Sequence, residues 1–532
     1  MAADDVFTLL EDIPSDNDSV CSDDDQVDPE NITANNNLLN LDDIPIIFAD
    51  DIDMYQNIAN QEDDDSIDSD PEMNETLAVI RSRELAKRTI WTTSTENCIR
   101  QRKTFSEATG PNIPDDLESP HDVFLHIFPL NLIEAIVFQT NLYALQKNGG
   151  NSNSFTATNV KEMKTFLGIN ILMGVKKLPS YCDYWSSRPE LRDHFISSAM
   201  TRDRFAWILG HIHLADNSIM PPKGSDNYDK LYKIRLLLET LTETFKESYK
   251  PGKNQSIDKS MIRFKGRSTL KQYMPLKPIK RGYKVWIRAD ESGYVCQFQI
   301  YSGKVSDIAE KDLGARVVKD LSRDLVGKGH HIYFDNFFNS VQLEKDLQSD
   351  LIYACGTVRT NRKGLPADMK SDKDLPQRGD LDWRVSKDGL VFLKWKDRKI
   401  VSFLSNYHNP LDICSVPRKE KDGSSKDIPC PNIVRDYNAH MGYVDKMDML
   451  KSIYEIDRKS KKWWHRVLWY FLDVSIVNSY ILFKNRTESS TPNLKVFRIS
   501  VWRQASLVLG SQHVLELNPK SQIISSVQCL TK

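Results

Sequence analysis

Three aspartates in this chain of 532 residues lie at the edges of apolar segments, where a carboxylate is unusual: Asp258 in SIDKSM, Asp335 in YFDNFF and Asp445 in YVDKMD. Burying an ionised carboxylate is costly unless it is paired or coordinates a metal. Three carboxylates that converge would repel one another, and a cation is the simplest way to hold them together. Two divalent ions about 4 Å apart, clamped by carboxylates, stabilise the attacking and leaving oxygens in phosphodiester cleavage.

A fourth carboxylate belongs to Asp448, which shares one face of a predicted helix with Asp445. Two magnesium ions suit such a site because magnesium prefers oxygen ligands in octahedral geometry, and manganese (Mn2+) is the alternative ion. The spacing of the aspartates along the chain matches no compact motif. From the residues alone, a set of ordinary structural aspartates is an equally good interpretation.

The elements that must position these residues can be predicted from the apolar pattern after Gln255. The segments QSIDKSMIRFKG, KVWIRA and YVCQFQIYSG have the composition of strands, and a turn joins the last two into a hairpin. A helix, a strand ending at Asp335, a second helix and a fifth strand follow. This succession predicts an α/β core with Asp258 on its first strand. If the first and fourth strands are neighbours, their carboxylates come within reach of a shared metal.

The rest of the chain divides by composition around this core. Apolar residues recur at helical spacing before the core and in a long apolar helix after it, and a segment rich in Lys, Asp, Gly and Pro interrupts it. We therefore predict a disordered acidic tail at 1–118, helical segments at 119–254 and 456–525, core segments at 255–360 and 431–455, and a β-rich insertion at 361–430.

Charge is distributed very unevenly along the chain. The first 80 residues contain 24 Asp or Glu and no Lys or Arg, which leaves 71 basic against 50 acidic residues in the remainder. So basic a body suits a polyanion such as nucleic acid, although a generally solvated basic surface is the simpler alternative. The acidic tail is too charged to fold alone. It could shield the basic body from DNA, or bind an unidentified protein.

Composition excludes several classes of protein. The eight cysteines are scattered without a CxxC pair, so we expect neither a disulfide framework nor zinc, and a reducing compartment. The N-terminus lacks the basic region of a secretory signal, and no apolar run approaches the roughly 20 residues that span a bilayer, so we expect no membrane association. The basic patch RSRELAKR at 81–88 is a candidate nuclear-import signal or an exposed linker.

Basic residues cluster beside the predicted core elements. Those that could contact DNA are Lys265, Arg267, Lys271, Lys277, Lys280 and Arg281 after the first aspartate, Arg359 and Arg362 after the fifth strand, and Lys461, Lys462 and Arg466. The first group alternates with Phe264 and Tyr273, whose rings could stack on bases. Trp463 and Trp464 are interpreted as packing anchors. His211 and His213 are interpreted as structural rather than as a metal pair.

Four motifs carry a resemblance to a known family. SIDKSMIRFKGRSTLKQYMPLKPIKRGYKVW, YFDNFFNS, CGTVRTNRKGLP and YVDKMDML, in this order, resemble the piggyBac transposases and the transposable element-derived proteins related to them. GHIHLADN at 210–217 and KSKKWWHR at 459–466 add to it. The resemblance extends over roughly residues 120–485.

This resemblance implies an RNase H-like catalytic core. In the family's DDD site, Asp258, Asp335 and Asp445 would be the metal ligands, and Asp448 a further acidic residue that supports them. Family members cut DNA at element ends, pass through hairpin intermediates and insert at TTAA. They act as dimers in the nucleus, and helices from both sides of the core, here 119–254 and 456–525, form one dimerisation and DNA-binding domain.

The chain departs from the family pattern in two places. Tyr443 stands where the family often has a second glycine before the third aspartate. The cysteine- and histidine-rich zinc module found at the C-terminus of many members has no counterpart here, since the last 60 residues contain only His513 and Cys529 of these types. Two further functions therefore remain open: a domesticated, non-catalytic DNA- or chromatin-binding protein, and a protein-interaction scaffold.

Overall fold

The computed structural model describes residues 89–98, 102–151, 155–275, 277–303, 312–419, 423–486 and 492–507. The acidic segment 1–80, the basic patch 81–88 and residues 508–525 lie outside the described residues. Within the range predicted as a disordered tail, residues 91–92 and 110–111 form short strands that pair with later strands.

The described helices, in chain order, are α1 (Pro120–Ile127), α2 (Leu130–Lys147), α3 (Val160–Val175), α4 (His194–Ala199), α5 (Arg202–His211), α6 (Arg235–Glu247), α7 (Leu313–Ser322), α8 (Val341–Ser349), α9 (Asn432–His440), α10 (Tyr443–Ile453), α11 (Trp463–Arg486) and α12 (Leu494–Leu507). The described strands are β1 (Trp91–Thr92), β2 (Gly110–Pro111), β3 (Tyr249–Lys250), β4 (Asn254–Arg263), β5 (Gln272–Tyr273), β6 (Arg281–Asp290), β7 (Val295–Ile300), β8 (His331–Phe334), β9 (Tyr353–Thr357), β10 (Leu381–Ser386), β11 (Val391–Lys396), β12 (Ile400–Ser405), β13 (Ile413–Lys419) and β14 (Ser425–Pro431).

The chain divides into two compact units. The described part of the first comprises residues 133–217 and 496–507 and is helical. Its centre is α3, which is buried along most of its length and begins at Asn159, whose side chain accepts a hydrogen bond from the backbone N–H of Glu162. Gly168 allows α12 to approach closely, because a Cβ at this position would lie 3.2 Å from the Cβ of Ala505.

The second unit, residues 89–132 and 218–495 in its described part, contains one large mixed sheet. Its strand order is β1-β10-β11-β12-β9-β8-β4-β6-β5, and β7 also pairs with β6. The predicted succession of three strands, helix, strand, helix and strand is found as β4, β6, β7, α7, β8, α8 and β9. Strands β10 to β12, which fall in the segment predicted as an insertion, extend this same sheet through β12, while β13 and β14 form a separate pair.

Strand β4 lies inside the sheet and is covered on both faces, so most of its residues are buried although several of them are polar. On one face, Ile257 packs in a cluster with Val317 of α7 and Leu343 of α8. On the other face, α10 and α11 lie against it. Strand β4 pairs antiparallel with β6 and parallel with β8.

The long helix α11 is apolar and long enough to cross a membrane, but 83% of its most apolar window is buried inside the protein. Helices α1 and α2 are long and apolar enough to cross a membrane only if they are taken together, and they are bent by 66° relative to each other. Helix α11 packs on α1 and on β4. Its apolar surface is therefore covered by other parts of the fold, as in the central helix of a protein core.

Candidate active site

Asp258 lies in the middle of β4, where its antiparallel partner is Ile287. Side chains alternate between the faces of a strand, so Asp258 points away from the cluster that contains Ile257. The residue is only 9% exposed, and its Oδ1 has no hydrogen-bond partner among the described residues. A buried carboxyl oxygen without a partner is costly unless another group, such as a cation, supplies the missing interaction.

Asp335 follows directly after β8, at the strand end that the sequence predicted. Its Oδ1 accepts a hydrogen bond from the backbone N–H of Phe337 at 3.0 Å, and its Oδ2 lies 2.6 Å from Nζ of Lys259. Arg362 braces this loop by donating from Nη2 to the carbonyl oxygens of Asn336 and Phe337, at 3.1 and 2.8 Å. The carboxylate is thus fixed on both oxygens.

Asp445 and Asp448 lie on α10, as predicted, and occupy different environments. Asp445 is exposed in the first turn, whereas Asp448 accepts a hydrogen bond of 2.7 Å from Oγ of Ser260 on β4. Ser260 in turn accepts a hydrogen bond of 2.9 Å from the hydroxyl of Tyr470 on α11. This chain of three side chains joins α10 and α11 to the strand that carries Asp258.

The pKa values indicate that the aspartates interact. Burial raises the pKa of Asp258 to about 6; the positive charge of Lys277 opposes this rise, and the negative charges of Asp335 and Asp445 add to it. Burial also raises the pKa of Asp448, and the charge of Asp445 adds to that shift. The carboxylates are therefore near enough to repel one another.

Two lysines beside Asp335 were not predicted from the sequence as site residues. Lys259 forms the ion pair described above, and Lys284 on β6 lies among aromatic rings, with Nζ 4.3 Å from the ring centre of Tyr301 and 4.9 Å from that of Trp286. Burial lowers the pKa of Lys284 to about 8, and the charge of Lys259 lowers it further. The alternation of side chains along β4 and β6 could have predicted that both lysines lie on one face of the sheet. It could not have predicted how close they lie to Asp335.

The donor set fits a divalent metal ion, although the described side chains show no preformed cluster of three or more His, Cys, Asp or Glu residues able to hold one. The fit rests on the unpartnered oxygen of Asp258 and on the carboxylates that raise its pKa. Carboxylate oxygens are the ligands that magnesium and manganese prefer. The assignment of Asp258, Asp335 and Asp445 as metal ligands stays a prediction.

The predicted DNA-contacting residues differ in exposure. The exposed ones are Lys265, Arg267, Lys280, Arg281, Arg359 and Lys461, and the half-buried ones are Lys271, Lys277, Arg362, Lys462 and Arg466. The guanidinium of Arg281 lies 5.3 Å from the ring centre of Tyr273, which is 63% exposed. These two residues form a cationic and aromatic surface after β4. Their DNA contacts stay predictions.

Some of these basic side chains also hold the fold together. Arg466 donates from Nε to the carbonyl oxygen of Arg263 at 3.0 Å and forms an ion pair of 2.8 Å with Asp457. Lys271 donates to the carbonyl oxygen of Gly266 at 2.7 Å. Substituting either residue would therefore disturb local structure as well as charge.

The tryptophans and histidines that the sequence analysis interpreted as structural take part in aromatic packing. Trp464 is buried, and Trp463 packs edge-to-face on Tyr283 with ring centres 6.1 Å apart. His213 is buried and stacks on Tyr143, with ring centres 3.6 Å apart, and Nδ1 of His211 hydrogen-bonds the carbonyl oxygen of Trp207 at 2.8 Å. Both histidines thus take part in packing within the first unit.

Comparison with known proteins identifies the family. Residues 119–480 match the family model described as "Transposase IS4". The chain belongs to the piggyBac-type transposase family. Family membership carries the general expectation of activity on DNA, while the activity of this chain is a separate question.

Curated relatives agree with this family. The chain is 31% identical over 391 residues to PiggyBac transposable element-derived protein 3 of Homo sapiens, covering 72% of this chain and 64% of that protein. It is 28% identical over 450 residues to PiggyBac transposable element-derived protein 2 of Homo sapiens, covering 82% and 73%. The aligned part of the chain thus spans less than two thirds of the first of these relatives.

A solved structure agrees with the fold. The chain resembles a piggyBac transposase in a cryo-EM structure of its synaptic complex with hairpin DNA, with a TM-score of 0.64 and 24% sequence identity. The likeness covers 77% of this chain and 86% of that one. The mixed α/β architecture with a large mixed sheet is therefore shared with that family member.

Proposed function

We propose that this protein is a piggyBac-like transposase, or a protein derived from one, that cleaves and transfers DNA strands at TTAA sites with divalent metal ions. One observation carries the proposal: an oxygen of Asp258 is buried without a hydrogen-bond partner among the described residues, while Asp335 and Asp445 raise the pKa of this carboxyl. Such a group of carboxylates is stabilised by a bound cation.

Asp258, Asp335 and Asp445 would hold the ions, magnesium or, as the alternative, manganese. Bound there, the ions would supply positive charge that stabilises the attacking and leaving oxygens of the phosphodiester. The strands β4 and β8, with the helices on both faces, would then be an RNase H-like core. The adjacency of β4 and β8 supports this assignment, since it brings two of the three ligands to one part of the sheet.

The protein's own residues orient the site. Ser260 donates a hydrogen bond to Asp448 and accepts one from Tyr470, so that α10 keeps Asp445 beside β4. Lys277 brings a positive charge close to Asp258, where it also favours an approaching phosphate. Arg362 fixes the loop after β8 and with it the direction of Asp335.

Double-stranded DNA is the proposed substrate, and we propose a nuclear homodimer as the working form. The excess of 71 basic over 50 acidic residues after residue 80 supports a polyanionic partner. Of the basic residues after β4, Lys277 is near enough for its charge to act on Asp258. DNA held there would be close to the carboxylates.

Nicking of supercoiled plasmid that carries TTAA tests the proposal. We expect nicks with Mg2+ or Mn2+ and none in EDTA, and we expect Asp335→Asn to bind DNA without nicking it. Equal nicking by both proteins would contradict the proposed site. A plasmid without TTAA tests the sequence preference separately.

A second candidate function is a domesticated protein that binds DNA or chromatin without cleaving it. The ion pair of Lys259 with Asp335 favours it, because Asp335 is then neutralised without a metal. This candidate predicts salt-dependent DNA binding that does not change with metal. Metal-dependent strand cleavage by the purified protein would exclude it.

A further inference from the structure

Asp258 on β4 and Asp335, directly after the adjacent strand β8, differ in how their charge is compensated. An oxygen of Asp258 is buried with no hydrogen-bond partner among the described residues, whereas Asp335 has a partner on each oxygen. The partner of Oδ2 is a full positive charge, the ammonium of Lys259 at 2.6 Å. A cation already occupies the side of Asp335 on which a metal ion would compete for the oxygen.

The surroundings hold Lys259 in this position. Its side chain is 16% exposed, so it is not a freely moving surface lysine. The ammonium lies 5.6 Å from the ring centre of Phe337, in the same loop as Asp335. The ammonium of Lys284, itself 5.3 Å from the centre of that ring, repels Lys259. The ion pair is therefore partly desolvated and costs little further side-chain entropy.

We propose that Lys259 is a built-in competitor for the metal at Asp335 and sets the metal affinity of the site. This inference rests on the proposed function, because it concerns the metal that function requires. Binding at Asp335 must displace a charge-assisted hydrogen bond, while binding at Asp258 supplies a missing partner. The two ions therefore bind unequally, the one at Asp258 more tightly than the one that needs Asp335.

Displacement gives Lys259 a second position. The side chain of Lys259 is only 16% exposed, so the ammonium released from Asp335 stays close to the proposed metal-binding carboxylates. A DNA phosphate arriving with the second ion would offer it a new anionic partner. Binding of the second, weaker metal ion is then coupled to DNA binding, because a DNA phosphate compensates the charge of the Lys259 ammonium that the metal displaces.

Binding of Mn2+ to the full-length, metal-free protein tests the proposal without any activity measurement. The electron paramagnetic resonance signal of free Mn2+ reports how many ions bind and how tightly. Wild type should bind one ion more tightly than the second. Lys259→Met should bind the second ion about tenfold more tightly or better, because the competing charge-assisted hydrogen bond is gone. Lys259→Arg, which keeps the competing charge, should leave the second ion weak.

Lys253→Met is the matched control. It removes one positive charge from an exposed lysine just before β4 and should leave both affinities within about twofold of wild type. Equal or weaker binding of the second ion by Lys259→Met, with the fold intact by thermal unfolding, would overturn the proposal. Absence of Mn2+ binding to wild type and to every variant would instead overturn the proposed metal-dependent function.

Discussion

Ile257 and Phe334 are direct partners in the parallel pairing of β4 with β8, and each immediately precedes an aspartate of the candidate site. The pairing brings Asp258 and Asp335 to neighbouring positions although 76 residues separate them along the chain. Because register shifts of one residue exchange the faces of a strand, this pairing decides whether the two carboxylates meet. Residues that fix the position of β8 should therefore affect the site.

Gly356 on β9 is such a residue. A Cβ at this position would lie 2.3 Å from the carbonyl oxygen of Phe334, so the backbone of β8 would have to move. We expect Gly356→Ala to lower the free energy of unfolding by about 1–3 kcal/mol and to reduce any DNA cleavage. Urea unfolding measures the first effect. Gly210→Ala adds a Cβ that no described atom outside its own helix backbone and chain neighbours approaches within 4 Å, so it should be neutral or slightly stabilising. Equal effects of both substitutions would contradict the role of Gly356.

Asp258→Asn should stabilise the metal-free protein while it removes activity. Burial raises the pKa of Asp258 to about 6, so the folded protein binds this proton more tightly than the unfolded chain does. The free energy of unfolding therefore falls as the pH rises from about 4 to about 6 and stays lower above that range. At pH 7 in EDTA we expect a gain of about 2 kcal/mol in urea unfolding, which disappears near pH 4.

The control for this experiment is Asp226→Asn, which neutralises an exposed aspartate and should leave the unfolding curve nearly unchanged at both pH values. If Asp258→Asn instead lost stability at pH 7, the carboxylate would have stabilising partners in the folded protein. The interpretation of Asp258 as a carboxylate that lacks a partner in the metal-free protein and is stabilised by a metal ion would then be wrong.

The hydrogen bonds of Ser260 should contribute to stability in a graded way. Ser260→Ala leaves both Asp448 and the hydroxyl of Tyr470 without their shared partner, which should cost about 1–3 kcal/mol. Tyr470→Phe keeps the bond from Ser260 to Asp448 and should cost about 1 kcal/mol. Chemical denaturation distinguishes the two. A larger loss for Tyr470→Phe than for Ser260→Ala would contradict this order.

Arg267 tests the proposed DNA surface. If this exposed side chain contacts a phosphate, Arg267→Gln should make the plot of log affinity against log salt shallower by about 0.9. Arg323→Gln removes an equally positive charge, 81% exposed, from the end of α7 and should leave the slope unchanged. Fluorescence anisotropy with a labelled duplex at several salt concentrations measures both. Equal slopes for Arg267→Gln and wild type would remove this residue from the interface.

Local sequence predicted the elements of the core well. The strand-like composition of β4 and the helical spacing of α10 are properties of short segments, so Asp258 and Asp448 could be assigned to a strand and a helix directly. The extension of the sheet by β10 to β12 was not predicted, because pairing of β12 with β9 depends on contacts across the fold. Nothing in either segment's composition specifies its neighbour.

The ion pairs and hydrogen bonds that compensate the charges in the site could likewise not be predicted from local sequence. Lys259 follows Asp258 in the chain, yet its ammonium pairs with Asp335, because successive residues of β4 face opposite sides of the sheet and β8 lies alongside. Arg466 carries a charge that suggests a phosphate contact, but its guanidinium donates to the backbone of Arg263. Only the packed structure shows which charges are already engaged.

The rate of strand cleavage at a TTAA site, compared among aspartate variants, tests the central claim most directly. Single-turnover cleavage of a labelled duplex should depend on Mg2+ or Mn2+ in wild type and in Asp226→Asn. Asp258→Asn, Asp335→Asn and Asp445→Asn should each lower it about a hundredfold or more at unchanged DNA affinity. Cleavage by any of these three at the wild-type rate, or cleavage by wild type in EDTA, would contradict a metal-dependent site built on these carboxylates.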